Sequence, residues 1–294
     1  MNEGVDQAGL FLRISASPYL YFLSSSSRSR IRFWRSRNAY RFSVSNVKPK
    51  IRIDKWRDSF CMKILLIIPA YNEENNIENL INRIYSIYGK TVDILVINDC
   101  SLDETKSVCY KIGVYTINLP CNLGIGGAVQ TGYKYAHQHD YDIAIQVDGD
   151  GQHKPEYIIN LVQYIIEDKA DMVIGSRFIN REGFQSTLMR RVGIAYFTYL
   201  LKLLSKEKIT DPTSGFRACN KKIIGIFAKR YPVDYPEPES IMYLLRNRYR
   251  IKEIPVVMQE RIEGRSSITA LKSIYYMIKV SLAILIDRFR KQIV

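Results

Sequence analysis

The chain has 294 residues, of which 47% are hydrophobic and 24% charged, a usage typical of one large or two small globular domains. A mean hydropathy of -0.14 excludes a polytopic membrane protein. The five cysteines form no CxxC pair and are odd in number, which argues against a zinc ribbon or a dense disulfide framework and favours a reducing cytoplasm.

Residues 1–61 carry most of the positive charge. They contain twelve basic and four acidic residues, and therefore +8 of the total net charge of +14. This stretch has no periodicity that would build a core, and it alone favours a basic nucleic-acid-binding protein. Its Arg- and Ser-rich composition is typical of a targeting segment. Alternatively, the native chain begins at Met62, which an apolar run follows at once.

Short apolar runs alternate with helical patterns from Met62 onward. The runs predict buried strands at Ile64–Ile68, Ile94–Ile97, Val114–Ile117, Ile143–Val147 and Met172–Ile174. Apolar residues at helical spacing predict helices over Ile77–Tyr88, Tyr157–Ile166, Val192–Leu204 and Ile268–Ile293. The alternation predicts a doubly wound, mostly parallel α/β sheet that binds its ligand at the carboxyl ends of the strands.

Polar clusters follow the first two predicted strands, at Pro69–Glu74 and Asn98–Thr105. At this edge of a sheet the ring of Tyr71 is suited to flank a nucleobase, and Asp99 is suited to accept a hydrogen bond from a base N–H group. Helix capping is the alternative. The first cluster then supplies acids to a helix start, and Ser101 with Glu104 forms a capping box.

A glycine-rich segment, Asn122–Ala128, follows the third predicted strand. Its spacing is not GxGxxG and it does not follow the first strand, so a dinucleotide site is a weak interpretation. Close approach of its backbone to a phosphate or ribose is the other possibility.

The clearest motif is Gln146–His153, which contains two carboxylates two residues apart at the end of a buried strand. Glycines on either side of Asp150 leave the backbone free to bend. Oxygen ligands with open positions suit Mg²⁺ or Mn²⁺ bridging a diphosphate. The alternative is that Asp148 and Asp150 only complement the dipole of a helix that begins near Pro155.

Taken in order, these motifs resemble the family 2 glycosyltransferases of the GT-A fold, especially those that transfer mannose or glucose to polyprenyl phosphates. Three segments carry the resemblance: Ile68–Glu74, Asp148–His153 and Asp211–Arg217. The resemblance implies that the nucleotide-sugar is bound by Pro69, Tyr71, Glu73, Asp99 and Asp148. It also implies that Asp148, Asp150 and Gln152 hold the metal, with Asp150 in a catalytic role, and that Arg177 receives an acceptor phosphate. Asn98 stands where the family more often has Asp, which leaves the base open.

The segment Tyr235–Ser240 is more similar to bacterial relatives that assemble surface polysaccharides. Glu237 or Glu239 is a candidate general base, which a sugar hydroxyl acceptor needs and an ionised phosphate does not. Both acids would alternatively complement a helix dipole.

The last predicted helix contains a 14-residue apolar stretch, Ser273–Ile286, that includes Lys279. The stretch is too short to span a bilayer, and flanking basic residues suit a helix that lies on an anionic membrane surface. Packing against the core or a partner is the alternative.

We therefore expect an extension over residues 1–61, a glycosyltransferase domain over 62–267 and an amphipathic helix over 268–294. The expected enzyme is metal-dependent and inverting, uses Mg²⁺ or Mn²⁺, and lies on the inner face of the cell membrane without binding nucleic acid. Its donor is a nucleotide-sugar and its acceptor polyprenyl phosphate or a lipid-linked or cell-surface saccharide. A sugar nucleotidyltransferase is the rival enzyme, but the segment after the first strand is acidic where that enzyme needs Gly and Lys or Arg.

Overall fold

A seven-stranded sheet forms the centre of the computed structural model, which describes residues 62–184, 187–259 and 270–289. These residues belong to one of two compact units, Ile51–Val294. The predicted extension over residues 1–61 lies outside the described residues, as do both ends of the predicted last helix. The strands are β1 (Ile64–Ala70), β2 (Asp93–Asn98), β3 (Tyr115–Asn118), β4 (Ile143–Gln146), β5 (Met172–Ser176), β6 (Arg217–Asn220) and β7 (Ile251–Pro255).

Helices cover both faces of the sheet. They are α1 (Ile77–Tyr88), α2 (Thr105–Ile112), α3 (Gly124–Gln138), α4 (Ile158–Ile166), α5 (Leu188–Ser205), α6 (Lys221–Lys229), α7 (Pro236–Arg246) and α8 (Ala270–Phe289), with a 3-10 turn at Pro155–Tyr157. Alternate residues of β1 enter different cores, since Leu66 and Ile68 pack with α1 and α4 whereas Leu65 and Ile67 pack with α3. This alternation follows from the two-residue repeat of a strand, and it explains why β1 is apolar throughout.

The strand order is β3-β2-β1-β4-β6-β5-β7, and only β6 runs antiparallel to its neighbours. The predicted doubly wound, mostly parallel sheet is therefore confirmed. The sequence analysis missed β6 and β7. β6 has the sequence RACN and β7 the sequence IKEIP, so neither contains the continuous apolar run that identified the other strands.

Neighbouring strand ends bring three of the predicted motifs to one edge of the sheet. The parallel pairing of β1 with β2 sets Ala70 opposite Asn98, and the pairing of β1 with β4 sets Ile67 opposite Gln146. Beyond the strands, the backbone N–H of Gly149 still donates to the Pro69 carbonyl at 3.3 Å. The polar residues after β1, β2 and β4 consequently lie side by side.

Helix α8 packs one face on the domain and exposes the other. Val280 and Ile284 are fully buried, and the ring of Tyr276 lies 5.2 Å from that of Phe197 on α5. The interpretation that this helix packs on the core is confirmed for that face, whereas the opposite face presents apolar side chains to solvent. Among the helices that the structure describes, none has the length and apolarity needed to cross a membrane.

Candidate active site

The loops after β1 and β2 are locked together by hydrogen bonds. The backbone N–H of Asn72 donates to Ser101 Oγ at 3.0 Å, and the Asn72 side-chain oxygen accepts from the backbone of Leu102 at 2.8 Å. Helix α2 begins at Thr105, whose backbone N–H donates to Asp103 Oδ1 at 3.0 Å. The capping box of Ser101 with Glu104 is therefore wrong, because the Ser101 hydroxyl bonds across the loops.

The residues predicted to bind the nucleoside lie along the edge of the sheet that these two loops form, which we call the rim. Tyr71 keeps 45% of its surface exposed, as a ring that stacks on a base requires. Glu73 accepts a hydrogen bond from the Asn76 side chain at 2.7 Å, and the buried Asp99 accepts one from the backbone of Leu123 at 2.7 Å. Pro69 is the next-to-last residue of β1, and its carbonyl accepts from the backbone N–H of Gly149. The structure thus brings these four residues to one edge, and their role in nucleoside binding stays a prediction.

Asn98 is held at both ends of its amide. Its nitrogen donates to Asn118 Oδ1 at 2.8 Å, and its oxygen accepts from the backbone of Ser101 at 3.1 Å. The side chain is buried, at 3% exposure. An aspartate here would lack the donor for Asn118, so the asparagine serves the loop structure and need not select a base.

The glycine-rich segment opens helix α3 and packs against its own chain. A Cβ at Gly126 would lie 2.0 Å from the Val233 carbonyl oxygen, to which the Gly126 N–H donates at 3.0 Å. This close approach requires glycine at that position. Gly126 therefore serves packing against Val233, which its sequence pattern alone did not reveal.

The two aspartates after β4 differ in exposure. Asp148 is about one third exposed, and its Oδ1 accepts from the Gln146 side chain at 3.2 Å. Asp150 is 7% exposed, and its Oδ1 accepts from the backbone of Gln152 at 3.0 Å. The acid in the first turn of the following 3-10 helix is Glu156. Asp148 and Asp150 lie before that turn, and their role, as metal ligands or as a dipole complement, stays a prediction.

These residues fit a divalent cation shared with a diphosphate. Among the described residues, no group of three His, Cys, Asp or Glu side chains is placed to hold a metal. Mg²⁺, however, commonly takes one or two carboxylates and completes its shell with water and phosphate oxygens. Asp148 and Asp150 supply two carboxylates at one strand end. The Gln152 amide nitrogen donates to the Gln259 carbonyl at 3.2 Å, so its oxygen is the atom that suits a cation.

The loop between α5 and β6 contacts Asp148, the first of the two aspartates after β4. A Cβ at Gly215 would lie 2.7 and 2.8 Å from the two carboxylate oxygens of Asp148 and 2.8 Å from Gln146 Nε2. Only glycine allows this contact. Gln146 Oε1, a buried acceptor, has no hydrogen-bond partner among the described residues. Residues 211–217 thus form a second wall of the site, next to Asp148. They lie far along the chain from the loops after β1 and β2.

Arg177 is held in this wall by a buried carboxylate. Its Nε and Nη2 atoms each lie 2.7 Å from an oxygen of Asp211, and Nη2 also donates to Thr213 Oγ1 at 3.0 Å. Glu253 in turn accepts from the backbone N–H groups of Thr210 and Asp211 at 2.7 and 2.9 Å, and burial raises the pKa of Glu253. The acceptor-phosphate role of Arg177 stays a prediction.

Glu237 and Glu239 both lie in the first turn of α7, as dipole complementation requires, but they face different surroundings. Burial raises the pKa of Glu237 to about 6; the charge of Arg217 opposes this shift, and that of Asp148 adds to it. Glu239 instead lines a cavity of about 390 Å³ with Arg230 and Asp287. The structure therefore associates Glu237, and not Glu239, with Asp148.

The sequence analysis gave no role to Arg217, although it lies within a quoted motif. Its side chain is completely buried and bonds to both the 211–217 loop and the start of α7. A basic residue at the first position of a short strand gave no signal of this burial.

Comparisons with known proteins agree with this geometry. Residues 65–226 match the family described as Glycosyl transferase family 2. A UDP-N-acetylglucosamine–dolichyl-phosphate N-acetylglucosaminyltransferase of Methanococcus voltae is 31% identical over 216 residues, 66% of this chain and 84% of the relative. A polyprenol monophosphomannose synthase of Mycolicibacterium smegmatis is 25% identical over 236 residues, 74% of this chain and 86% of the relative.

A solved structure of similar fold is glucosyl-3-phosphoglycerate synthase from Mycobacterium tuberculosis in complex with Mn²⁺, uridine-diphosphate and phosphoglyceric acid. It superposes with a TM-score of 0.64 at 20% identity and covers 82% of this chain and 84% of its own. The likeness confirms the predicted GT-A fold.

Proposed function

Since the chain belongs to glycosyl transferase family 2, we propose that this glycosyltransferase moves a sugar from a nucleotide-diphospho-sugar to polyprenyl phosphate or to a lipid-linked or cell-surface saccharide. The transfer inverts the anomeric carbon and depends on Mg²⁺ or Mn²⁺. Relatives named for dolichyl-phosphate and polyprenol substrates support the lipid acceptor. Glucosyl-3-phosphoglycerate synthase, which has this fold, was solved in complex with Mn²⁺ and uridine-diphosphate, and this supports the metal dependence.

The donor part of the proposal rests on one observation. The acidic pair after β4 lies at the same edge of the sheet as the rim formed by the loops after β1 and β2. Tyr71 and Asp99 hold the nucleoside at this rim, together with Pro69 and Glu73. Asp148, Asp150 and Gln152 hold the cation, which when bound stabilises negative charge on the leaving diphosphate. What the side chains add is orientation of the donor beside the acceptor.

The acceptor half rests on Arg177 and Glu237. Asp211 and Thr213 take the Nε and Nη2 groups of Arg177, which leaves Nη1 without a partner among the described residues and available to a phosphate. A phosphate acceptor is already ionised and needs only this orientation. A hydroxyl acceptor needs a base, and Glu237 is the carboxylate placed near Asp148.

We infer that helices α5 and α8 rest on the inner face of the membrane. Exposed apolar side chains form a stripe along each helix: Val192, Tyr196, Tyr199 and Leu203 on α5, and Tyr275, Ile278, Leu282, Leu285 and Ile286 on α8. The Tyr196 hydroxyl lies 2.9 Å from Ser281 Oγ, so the two stripes are adjacent. Exposed Lys202 and Arg288 on the same helices match an anionic lipid surface.

Vesicle flotation tests the membrane proposal. The protein should float with vesicles that contain anionic lipid, and high salt should weaken this binding because part of the attraction is electrostatic. Leu282→Glu should reduce flotation, whereas the control Tyr110→Glu, at an 89% exposed tyrosine of α2, should not. Protein that ignores anionic vesicles, or that resists both salt and alkaline carbonate, contradicts surface attachment.

Thermal unfolding with a panel of nucleotide-sugars tests the donor proposal. A donor that binds the native state raises the midpoint of unfolding. We expect one class of nucleotide-sugar to do so in Mn²⁺ or Mg²⁺ and to lose most of this effect in a chelator. Protection by none of the panel, or equal protection in the chelator, contradicts the proposal.

A further inference from the structure

Arg217 connects two segments that meet near Asp148. Its Nε donates to the Ser214 carbonyl at 2.7 Å and its Nη2 to the Pro212 carbonyl at 3.4 Å. Its Nη1 donates to Ser240 Oγ at 2.8 Å and to the Glu237 carbonyl at 3.3 Å. One guanidinium thus joins the 211–217 loop to the first turn of α7.

This arginine is costly for the fold. Its side chain is 0% exposed, and the four hydrogen bonds that it makes within the described residues go to carbonyl and hydroxyl oxygens and to no carboxylate. A buried cation without such a partner destabilises a protein unless its hydrogen bonds and a further role offset the desolvation. Carbonyl and hydroxyl oxygens accept its hydrogen bonds, and its charge acts at longer range on Glu237, whose pKa it lowers against the effect of burial.

The two joined segments each supply a part of the acceptor side. The loop contributes Gly215, whose backbone lies against the carboxylate of Asp148. The helix contributes Glu237, whose backbone carbonyl accepts from Arg217 and whose pKa the charge of Asp148 raises. Ser240 strengthens the junction, since its hydroxyl also donates to the Glu237 carbonyl at 2.9 Å.

We propose that Arg217 is a positioning residue that holds the 211–217 loop, in which Gly215 lies against Asp148, to the start of α7, which carries Glu237. The inference rests on the proposed function, because the arrangement it maintains is that of the acceptor side. The planar fork of arginine is required, since its donors point to the loop and to the helix at once. A lysine keeps the charge but concentrates its donors at one atom.

The test compares Arg217→Lys with Arg246→Lys. Arg246 lies at the other end of α7, is 11% exposed and has its Nη2 3.5 Å from Asp287, so it is a mostly buried, ion-paired arginine of the same helix away from the site. Hydrogen exchange of peptides covering 211–216 and 236–240 is measured together with steady-state kinetics. We expect Arg217→Lys to raise exchange in both segments and to lower kcat by about 10- to 100-fold, with KM for the nucleotide-sugar nearly unchanged.

Arg246→Lys should alter neither the exchange of these segments nor kcat. Ser240→Ala removes one of the four bonds with little risk to folding, so it should raise exchange of the same two segments and lower kcat less than Arg217→Lys. It decides the matter if Arg217→Lys fails to fold. Unchanged exchange, or equal losses of kcat in Arg217→Lys and Arg246→Lys, overturns the proposal. If the wild type transfers no sugar, the proposed function fails, whereas the exchange result still decides the role of Arg217.

Discussion

The proposed donor side and the proposed acceptor side of this site are built in different ways. The donor side consists of strand ends and short loops, whose side chains bond to neighbouring backbone groups, as Asp99 does to Leu123. The acceptor side is built on buried charge, with Asp211 holding Arg177 and with Arg217 joining a loop to a helix. Substitution of a partly exposed donor-side group such as Asp148 should therefore change binding at little cost in stability, whereas substitution of a buried group, such as Asn98 on the donor side or Arg217 on the acceptor side, should also lower stability.

The largest effect is expected for the acidic pair. Asp148→Asn and Asp150→Asn should each lower sugar transfer by at least about 100-fold, because in the proposed function they remove charge that holds the cation. The unfolding midpoint should change little. The control is Asp142→Asn, which should retain activity because Asp142 directly precedes the first residue of β4, at the end of the strand away from the site. Near-normal turnover in either site variant, or full activity in a strong chelator, rules out the metal role.

A methyl group at Gly215 should have the next largest effect. The added Cβ would lie 2.7 Å from the Asp148 carboxylate, so the loop or the carboxylate must move. We expect Gly215→Ala to lower transfer by about tenfold or more and stability by about 1 to 3 kcal/mol. The control is Gly193→Ala on α5, where a Cβ meets nothing within 4 Å. Equal behaviour of the two variants in kinetics and denaturant unfolding would remove Gly215 from the site.

Asn98→Asp tests the donor loops. Replacing the amide removes the donor to Asn118 and puts a carboxylate on a side chain that is only 3% exposed, which should cost about 1 to 3 kcal/mol. Asn122→Asp is the control, because that side chain only accepts, from the backbone of Gly124 at 3.0 Å. Denaturant unfolding of both variants measures the difference. If thermal protection shows a new base preference without loss of stability, Asn98 selects the base and our structural role for it is wrong.

The smallest effect concerns the pH dependence of stability. The pKa of Glu237 is raised from 4.5 to about 6, so the folded state binds this proton more tightly than the unfolded state does. Its ionisation therefore destabilises the fold as pH rises from about 4.5 to 6, and the loss is complete above pH 6. Glu237→Gln should be more stable than wild type by about 1 to 2 kcal/mol at pH 8 in chelator, and equal to it at pH 4. A difference independent of pH contradicts the burial of this charge.

The donor side could be predicted from the sequence because its signals are local. Parallel strands bring their carboxyl ends to one edge, so the polar residues after β1, β2 and β4 could be assigned to a common site before any contact was known. The apolar run of β1 and the acidic pair after β4 each lie within a few residues of the chain. Those short stretches are enough to predict both the fold class and the candidate metal ligands.

The contacts of the acceptor side could not be predicted in the same way, because they join a loop, an antiparallel strand and a helix start that the rule for parallel strand ends does not bring together. Arg177 meets Asp211 across 34 residues, and Arg217 meets Ser240 across 23. Nothing in the local sequence distinguishes Glu237 from Glu239. They lie two residues apart in the first turn of α7 and therefore point to different sides of the helix. The antiparallel β6 likewise has no apolar run, since its place in the sheet depends on β4 and β5 on either side.

The most direct test of the account is product analysis with purified protein, the nucleotide-sugar found by thermal protection, and vesicles that contain polyprenyl phosphate. We predict metal-dependent formation of a polyprenyl glycosyl phosphate of inverted anomeric configuration, together with release of the nucleoside diphosphate. Both should be lost in Asp150→Asn and retained in Asp142→Asn. Formation of a nucleotide-sugar from a sugar phosphate and a nucleoside triphosphate, with no transfer to lipid or saccharide, would contradict the account.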